Sequence, residues 1–262
     1  MIFAMGGGGF TMEPANPLLD DFVLSLARVE EPRVLFLPTA SGDTTGQINA
    51  FKARFTDRAC VPECLSLFRL RDSTRTLEET VLAHDILYVG GGSMRNLLAI
   101  WHAHGLDSLL VQAWREGRVL AGLSAGAMCW FQAGVTRSSG PPEPIAGLGL
   151  LEGSLTVHAD GEPERLPVWL AGVRDGTLPG GWSLDDGVGL LFRGEQLERI
   201  VSSRPGASAQ RVDAIAGELV RHRLEPELLQ SDGPGRLTGD DEAVQELRRV
   251  HLLRRGIRSA GG

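Results

Sequence analysis

The chain has 262 residues, 42% of them hydrophobic and 23% charged, which suits a globular protein of one large α/β domain or two small ones. Its formal charge of −7 argues against a nucleic-acid partner, and no apolar run approaches the length of a membrane-spanning helix, so no membrane partner is expected. No basic stretch followed by an apolar one opens the chain, and the three cysteines read as reduced thiols of a cytoplasmic protein.

Strand and helix patterns alternate along the first half. Ile2–Met5 reads as a short strand ending in the glycine run 6–9, after which Leu19, Phe22, Val23 and Leu26 recur at helical spacing. Residues 34–37 form a buried strand running into a loop at 38–43, followed by a helix over 45–57 and a strand near 64–68. Residues 85–89 make a strand that ends at Gly90-Gly91-Gly92-Ser93. Leu97, Leu98 and Trp101 mark the next helix, and Leu106, Leu109, Leu110, Ala113 and Trp114 another. A strand at 119–123 leads to a helix from Ala125. This alternation predicts an α/β fold with a mostly parallel, doubly wound sheet covered by helices on both faces. Ligands of such folds sit beyond the carboxyl ends of the strands, where the segments 6–9, 39–43, 90–93 and Ser124 all fall.

After residue 150 the pattern turns strand-rich, with runs at 154–157, 188–192, 197–201 and 210–215. One helix interrupts them, carrying Leu166, Trp169, Leu170 and Val173 on one face. This region reads as a β-rich C-terminal extension of the same sheet, and residues 138–144 and 179–181 as loops. Residues 240–255 read as a peripheral amphipathic helix, and 1–262 as a single domain.

Chemistry concentrates at Gly122-Leu123-Ser124-Ala125-Gly126. A serine between strand and helix, with glycines two residues to either side, has the form of a nucleophile elbow. The backbone N–H of Ala125 then points towards the carbonyl under attack. Among the six histidines, His158 stands out, because it ends a predicted strand and opens a polar loop. The other five read as surface or packing residues. For the acid, Asp185 and Asp186 both lie between apolar runs, and the order serine, histidine, aspartate differs from that of α/β-hydrolases. Neither glycine run fits a dinucleotide fingerprint or a P-loop, but a glycine run after a strand turns amides towards an anion. Gly91 and Gly92 thereby offer a second oxyanion donor. Cys60 and Cys64 lack a second ligand pair at zinc-site spacing, so neither metal nor organic cofactor is expected.

The chain resembles the serine peptidases of the dipeptidase E (aspartyl dipeptidase) family, with cyanophycinase a more distant relative. The resemblance is carried by MGGGGF at 5–10, YVGGGSMRNL at 88–97, GLSAGA at 122–127 and HADGEPERLP at 158–167, supported by LDDG at 184–187. It implies a scaffold like that of class I glutamine amidotransferases, with serine replacing their cysteine. It also implies Ser124 as nucleophile, His158 as general base, and the amides of Gly92 and Ala125 as oxyanion hole. The acid carries over to Asp186, with Asp185 its rival, and Gly91 is expected to border the substrate. Because family members cleave small peptides with an N-terminal aspartate, a cation should meet the substrate carboxylate, and Arg165 is the candidate. The expected partner is thus a small acidic peptide, and a homodimer stays open as the assembly. A hydrolase of other acidic or β-linked peptides, as in cyanophycin breakdown, is the rival within the class. A non-catalytic binding protein on the same fold is the rival outside it. Ala159, Leu166 and Ser93 depart from residues frequent in the family, which bears on substrate preference more than on the reaction.

Overall fold

The computed structural model describes residues 1–230, so the helix expected over 240–255 lies outside the described residues. The first half runs β1 (Ile2–Met5), α1 (Gly9–Met12), α2 (Leu18–Ser25), β2 (Arg33–Leu37), α3 (Thr45–Phe55) and β3 (Val61–Cys64). It continues through α4 (Leu77–Leu82), β4 (Ile86–Val89), α5 (Met94–His104), α6 (Leu106–Arg115), β5 (Val119–Leu123) and α7 (Ala125–Met128). Then come β6 (Phe131–Thr136), β7 (Glu143–Ala146), β8 (Leu151–Thr156), α8 (Arg165–Asp175), β9 (Gly181–Leu184) and β10 (Val188–Arg193). The last elements are β11 (Gln196–Ser202), β12 (Ala209–Ile215), β13 (Glu218–Leu224) and β14 (Glu227–Leu228).

Eight strands form a main sheet in the order β14-β11-β10-β1-β5-β4-β2-β3. From β1 to β3 every pairing is parallel, and the inner strands β1, β5, β4 and β2 are buried on both faces. Alternate side chains therefore enter two separate cores. Ile2, Ala4, Leu35, Leu37, Leu87 and Val89 pack with Trp101 of α5 and Leu110 of α6. Phe3, Met5, Phe36 and Tyr88 pack on the other face with Leu19 of α2 and Phe51 and Phe55 of α3.

The strand-rich second half divides between two sheets, which corrects the expectation of one extended sheet. β10 and β11 extend the main sheet antiparallel to β1. β8, β9, β12 and β13 instead join β6 and β7 in a six-stranded sheet, ordered β13-β12-β9-β8-β6-β7. One face of it shares the core of α5 and α6 through Leu151, Leu155, Trp182 and Leu184. The other holds α8 through Trp169, Val173 and Val212.

Two local expectations shift as well. The third strand is Val61–Cys64 rather than 64–68, and it carries Pro62 opposite Val34. Proline survives there because β3 is the sheet edge, where a missing N–H leaves no neighbour unpaired. Leu65 and Leu67 are buried as the chain leaves that strand. The expected loop at 138–144 gives way at its end to β7.

Candidate active site

β1 and β5 lie side by side with Met5 opposite Leu123, so residues 6–9 and Ser124 leave the sheet at the same level. Ser124 has φ 54° and ψ −115°, a conformation that an L-residue holds only when its surroundings force it. Its N–H donates to the Met5 carbonyl at 3.0 Å, and its own carbonyl accepts from the amides of Ala127 and Met128 at 2.9 Å. The flanking glycines are required by space. A Cβ on Gly122 would stand 2.1 Å from the Gly126 carbonyl oxygen, and one on Gly126 would stand 2.5 Å from that of Val89.

The second sheet brings His158 to this serine. β8 ends two residues earlier, and His158 turns the chain with φ 56°, a turn held by the amides of Gly161 and Glu162 donating to its carbonyl at 3.1 and 2.7 Å. Its Nε2 lies 2.9 Å from Ser124 Oγ, and its Nδ1 lies 2.5 Å from Asp186 Oδ1. An ionised Asp186 accepts from Nδ1–H, which leaves Nε2 as the acceptor for the serine hydroxyl. His158 and Asp186 are buried, whereas Ser124 is half-buried and open to a reactant.

Asp185 and Asp186 point to different partners from the turn that follows β9. Asp185 Oδ2 accepts from the Ser208 amide at 2.8 Å and its hydroxyl at 2.9 Å, so it ties β9 to the approach of β12. Asp186 faces His158, and its own amide donates to Asp160 Oδ1 at 2.8 Å.

Gly7 closes the other side of this pair. A Cβ there would stand 2.0 Å from Asp186 Oδ1 and 2.8 Å from the His158 ring, and the Gly7 carbonyl accepts from the Gly187 amide at 3.1 Å. Sequence reading placed residues 6–9 and the loop after His158 at this end of the sheet but gave neither Gly7 nor Asp160 a role.

Gly91 packs against the elbow, where its Cβ would lie 3.3 Å from Ser124 Cβ. Gly92 follows with φ 142°. Neither the Gly92 nor the Ala125 amide donates to a backbone carbonyl among the described residues. For Ala125 this follows from its place as the first residue of α7, where no intrahelical acceptor exists.

Arg165 does not present a free cation. It is buried, its Nη1 donates to the Val135 carbonyl at 3.0 Å, and its Nε and Nη2 donate to Glu162 Oε2 at 3.2 and 2.7 Å. Partial burial would push the Glu162 carboxyl up, but the Arg165 hydrogen bonds and charge outweigh it and hold that group below the usual carboxylate range. The pair braces α8 against β6, so the suggested substrate contact is corrected to a structural one.

The other histidines within the described residues stay apart from the serine. His84 is buried with Nδ1 at 2.6 Å from the Thr80 carbonyl, and His102, His104 and His222 are exposed. Cys60, Cys64 and Cys129 carry free thiols. Among the described residues no cluster of His, Cys, Asp or Glu is arranged to hold a metal ion, and no helix is long and apolar enough to cross a membrane.

Residues 2–200 match the sequence profile of Peptidase family S51. The chain belongs to that family. It is a peptidase of the serine type, and its fold is the α/β fold of peptidase E-like proteins. The uncharacterized peptidase YgaJ of Bacillus subtilis (strain 168) is 48% identical over 211 residues, covering 80% of this chain and 91% of the relative. Among solved structures, a peptidase from an acI-B1 Actinobacterium superposes with a TM-score of 0.67 at 18% identity, covering 86% of this chain and 93% of the other. A protein provisionally named peptidase E from Listeria monocytogenes EGD-e gives a TM-score of 0.54 at 18% identity, with coverages of 86% and 98%. At such identity these two likenesses speak to the fold.

Proposed function

We propose that this family S51 member is a dipeptidase that hydrolyses small peptides bearing an N-terminal aspartate. It would act through Ser124, His158 and Asp186 by way of an acyl-enzyme. The observation that carries the reading is the hydrogen-bonded chain from Asp186 Oδ1 through both imidazole nitrogens to Ser124 Oγ, at 2.5 and 2.9 Å. Ser124 Oγ bonds to the scissile carbonyl carbon while its proton passes to His158 Nε2. The carbonyl π pair moves onto oxygen, and the Gly92 and Ala125 amides meet the oxyanion. Collapse of this intermediate breaks the C–N bond, and the imidazolium returns its proton to the leaving amine. Water then repeats the sequence on the ester, releasing the N-terminal residue and restoring Ser124. Asp186 keeps Nδ1 protonated and offsets the imidazolium charge. The aspartyl preference rests on the family resemblance. The free thiols of Cys60, Cys64 and Cys129 suit a reducing compartment, and we assign the protein to the cytoplasm.

The test combines a substrate panel with a nucleophile variant. α-Aspartyl dipeptides should be cleaved faster than β-aspartyl dipeptides and cyanophycin fragments, and a fluorophosphonate should label Ser124. Ser124→Ala should lower kcat by at least about 10⁴-fold with an unchanged circular dichroism spectrum. Undiminished turnover in that variant sinks the mechanism. Preference for β-linked substrates moves the protein to the cyanophycinase-like reading. Absence of both labelling and turnover in the unaltered protein makes it a binding member of the family.

A further inference from the structure

The Gly91–Gly92 peptide group has a hydrogen-bonded partner that the reaction described above does not use. Gln47, on the first turns of α3, sends Nε2 to the Gly91 carbonyl oxygen at 3.2 Å. That carbonyl and the Gly92 N–H belong to one peptide unit. Among the described residues no peptide bond is cis, so the two groups point in opposite directions from one plane. A side chain that grips the carbonyl therefore fixes the direction of the N–H, and donation to the carbonyl polarises the amide and strengthens its N–H as a donor. We propose that Gln47 is a positioning residue for the oxyanion hole, holding the Gly91–Gly92 peptide so that the Gly92 amide faces the developing oxyanion. The proposal rests on the serine-peptidase reading above.

Three further observations fit this role. The next peptide is pinned separately, by the Ser93 amide donating to the Ala40 carbonyl at 2.8 Å, so Gln47 completes a two-point hold on residues 91–93. The approach of Gln47 needs Gly90, where a Cβ would stand 2.4 Å from Gln47 Oε1. That same Oε1 is buried without a hydrogen-bond partner among the described residues. An unpaired buried acceptor is unfavourable, and an apolar side chain of similar size would abolish it. A glutamine there makes sense through what its Nε2 holds. The Gly91–Gly92 peptide lies on a loop of the main sheet, so the hold comes from a helix packed on that sheet.

Two variants test this, assayed on an aspartyl anilide beside Ser124→Ala. Gln47→Leu should lower kcat by about 10- to 100-fold with KM changed less than about threefold. A donor that is misdirected costs somewhat less than the 10²- to 10³-fold lost with a donor removed. Gln47→Glu sets a carboxylate against the Gly91 carbonyl when ionised, but donates an O–H to it when protonated. The kcat of this variant, taken as a ratio to that of the unaltered protein, should therefore rise as pH falls. A purely structural glutamine would give no such recovery. Normal kcat in Gln47→Leu, or a loss confined to KM, overturns the proposal. If Gln47→Leu does not fold, a pH-independent ratio for Gln47→Glu overturns it just as well. An active Ser124→Ala overturns the serine reading itself, as does an unaltered protein that neither turns over nor labels, and the proposal falls with it. An inactive Ser124→Ala beside a normal Gln47→Leu leaves the serine reading standing and removes only the role of Gln47.

Discussion

Adjacent carboxylates in one turn show how finely the site is divided. Asp186 meets His158 Nδ1 at 2.5 Å, while Asp185 binds the Ser208 amide and hydroxyl. Asp186→Asn should lower kcat by about 10³- to 10⁴-fold, because an amide permits the wrong imidazole tautomer and leaves the imidazolium unbalanced. Asp185→Asn should instead cost about 1–3 kcal/mol of unfolding free energy through its weakened hold on Ser208, with kcat within an order of magnitude of normal. Steady-state kinetics and urea unfolding on both variants check this, and a reversed pattern would reassign the acid. Ser124 and His158 were legible in the sequence because a local motif or a strand end marks each. The choice between Asp185 and Asp186 was not, since both occupy the same turn and only three-dimensional pairing separates them. Arg165 misled for a related reason. A cation near the histidine in sequence looks available, but Glu162, one helical turn before it, already holds it.

At the scale of elements, the segment after β1 must be held firmly, because Gly7 lies so near Asp186 and His158 that no Cβ would fit there. Its anchor is an ion pair between α2 and α3. Asp20 is fully buried, its Oδ2 lies 3.0 Å from Arg54 Nε, and its Oδ1 accepts from the Tyr88 hydroxyl at 3.0 Å. Arg54 Nη2 donates in turn to the carbonyls of Glu13, Pro14 and Asn16. Burial pushes the Asp20 carboxyl up to about 6 against the pull of Arg54. Its native pKa thus exceeds the unfolded one, so its favourable contribution is complete below the unfolded value and is lost as pH rises through about 6. Arg54→Leu strips the compensating cation and should cost about 3–5 kcal/mol where Asp20 is ionised. The penalty should be smaller at pH 5, where Asp20 takes up a proton, than at pH 8. Urea unfolding at the two pH values measures it, and a pH-independent penalty would count against the buried pair. The α2 helix was visible from its apolar spacing, but this role was not, since an aspartate in a first helical turn ordinarily reads as a solvated partner of the helix dipole.

Across the whole molecule, the site joins two sheets. Ser124 follows β5 of the main sheet, His158 follows β8 of the second, and Asp186 lies where the chain crosses from β9 back to β10. Sequence patterns located most of these strands but assigned β8 and β12 to the wrong sheet. A short apolar run declares a strand, whereas its neighbours are fixed by packing and register between segments distant in the chain. The parallel half was easier, because strand–helix alternation with short loops allows few arrangements. Because the second sheet delivers His158, a cavity behind β8 is predicted to reach the chemistry, whereas one of similar size on α6 is not. Trp169 of α8 is fully buried, and its Nε1 donates at 2.8 Å to Ser154 Oγ of β8, four residues before His158. Trp169→Ala should cost about 3–5 kcal/mol, and by loosening β8 should lower kcat about 10- to 100-fold through displacement of the imidazole. Leu110→Ala, beneath the main sheet on α6, should cost about 2–5 kcal/mol and leave kcat within about twofold, a change too small to implicate the reacting groups. Both are to be assayed at a temperature where circular dichroism shows the protein folded. Equal kcat in the two variants would mean that His158 is held by its own turn rather than by the sheet behind it.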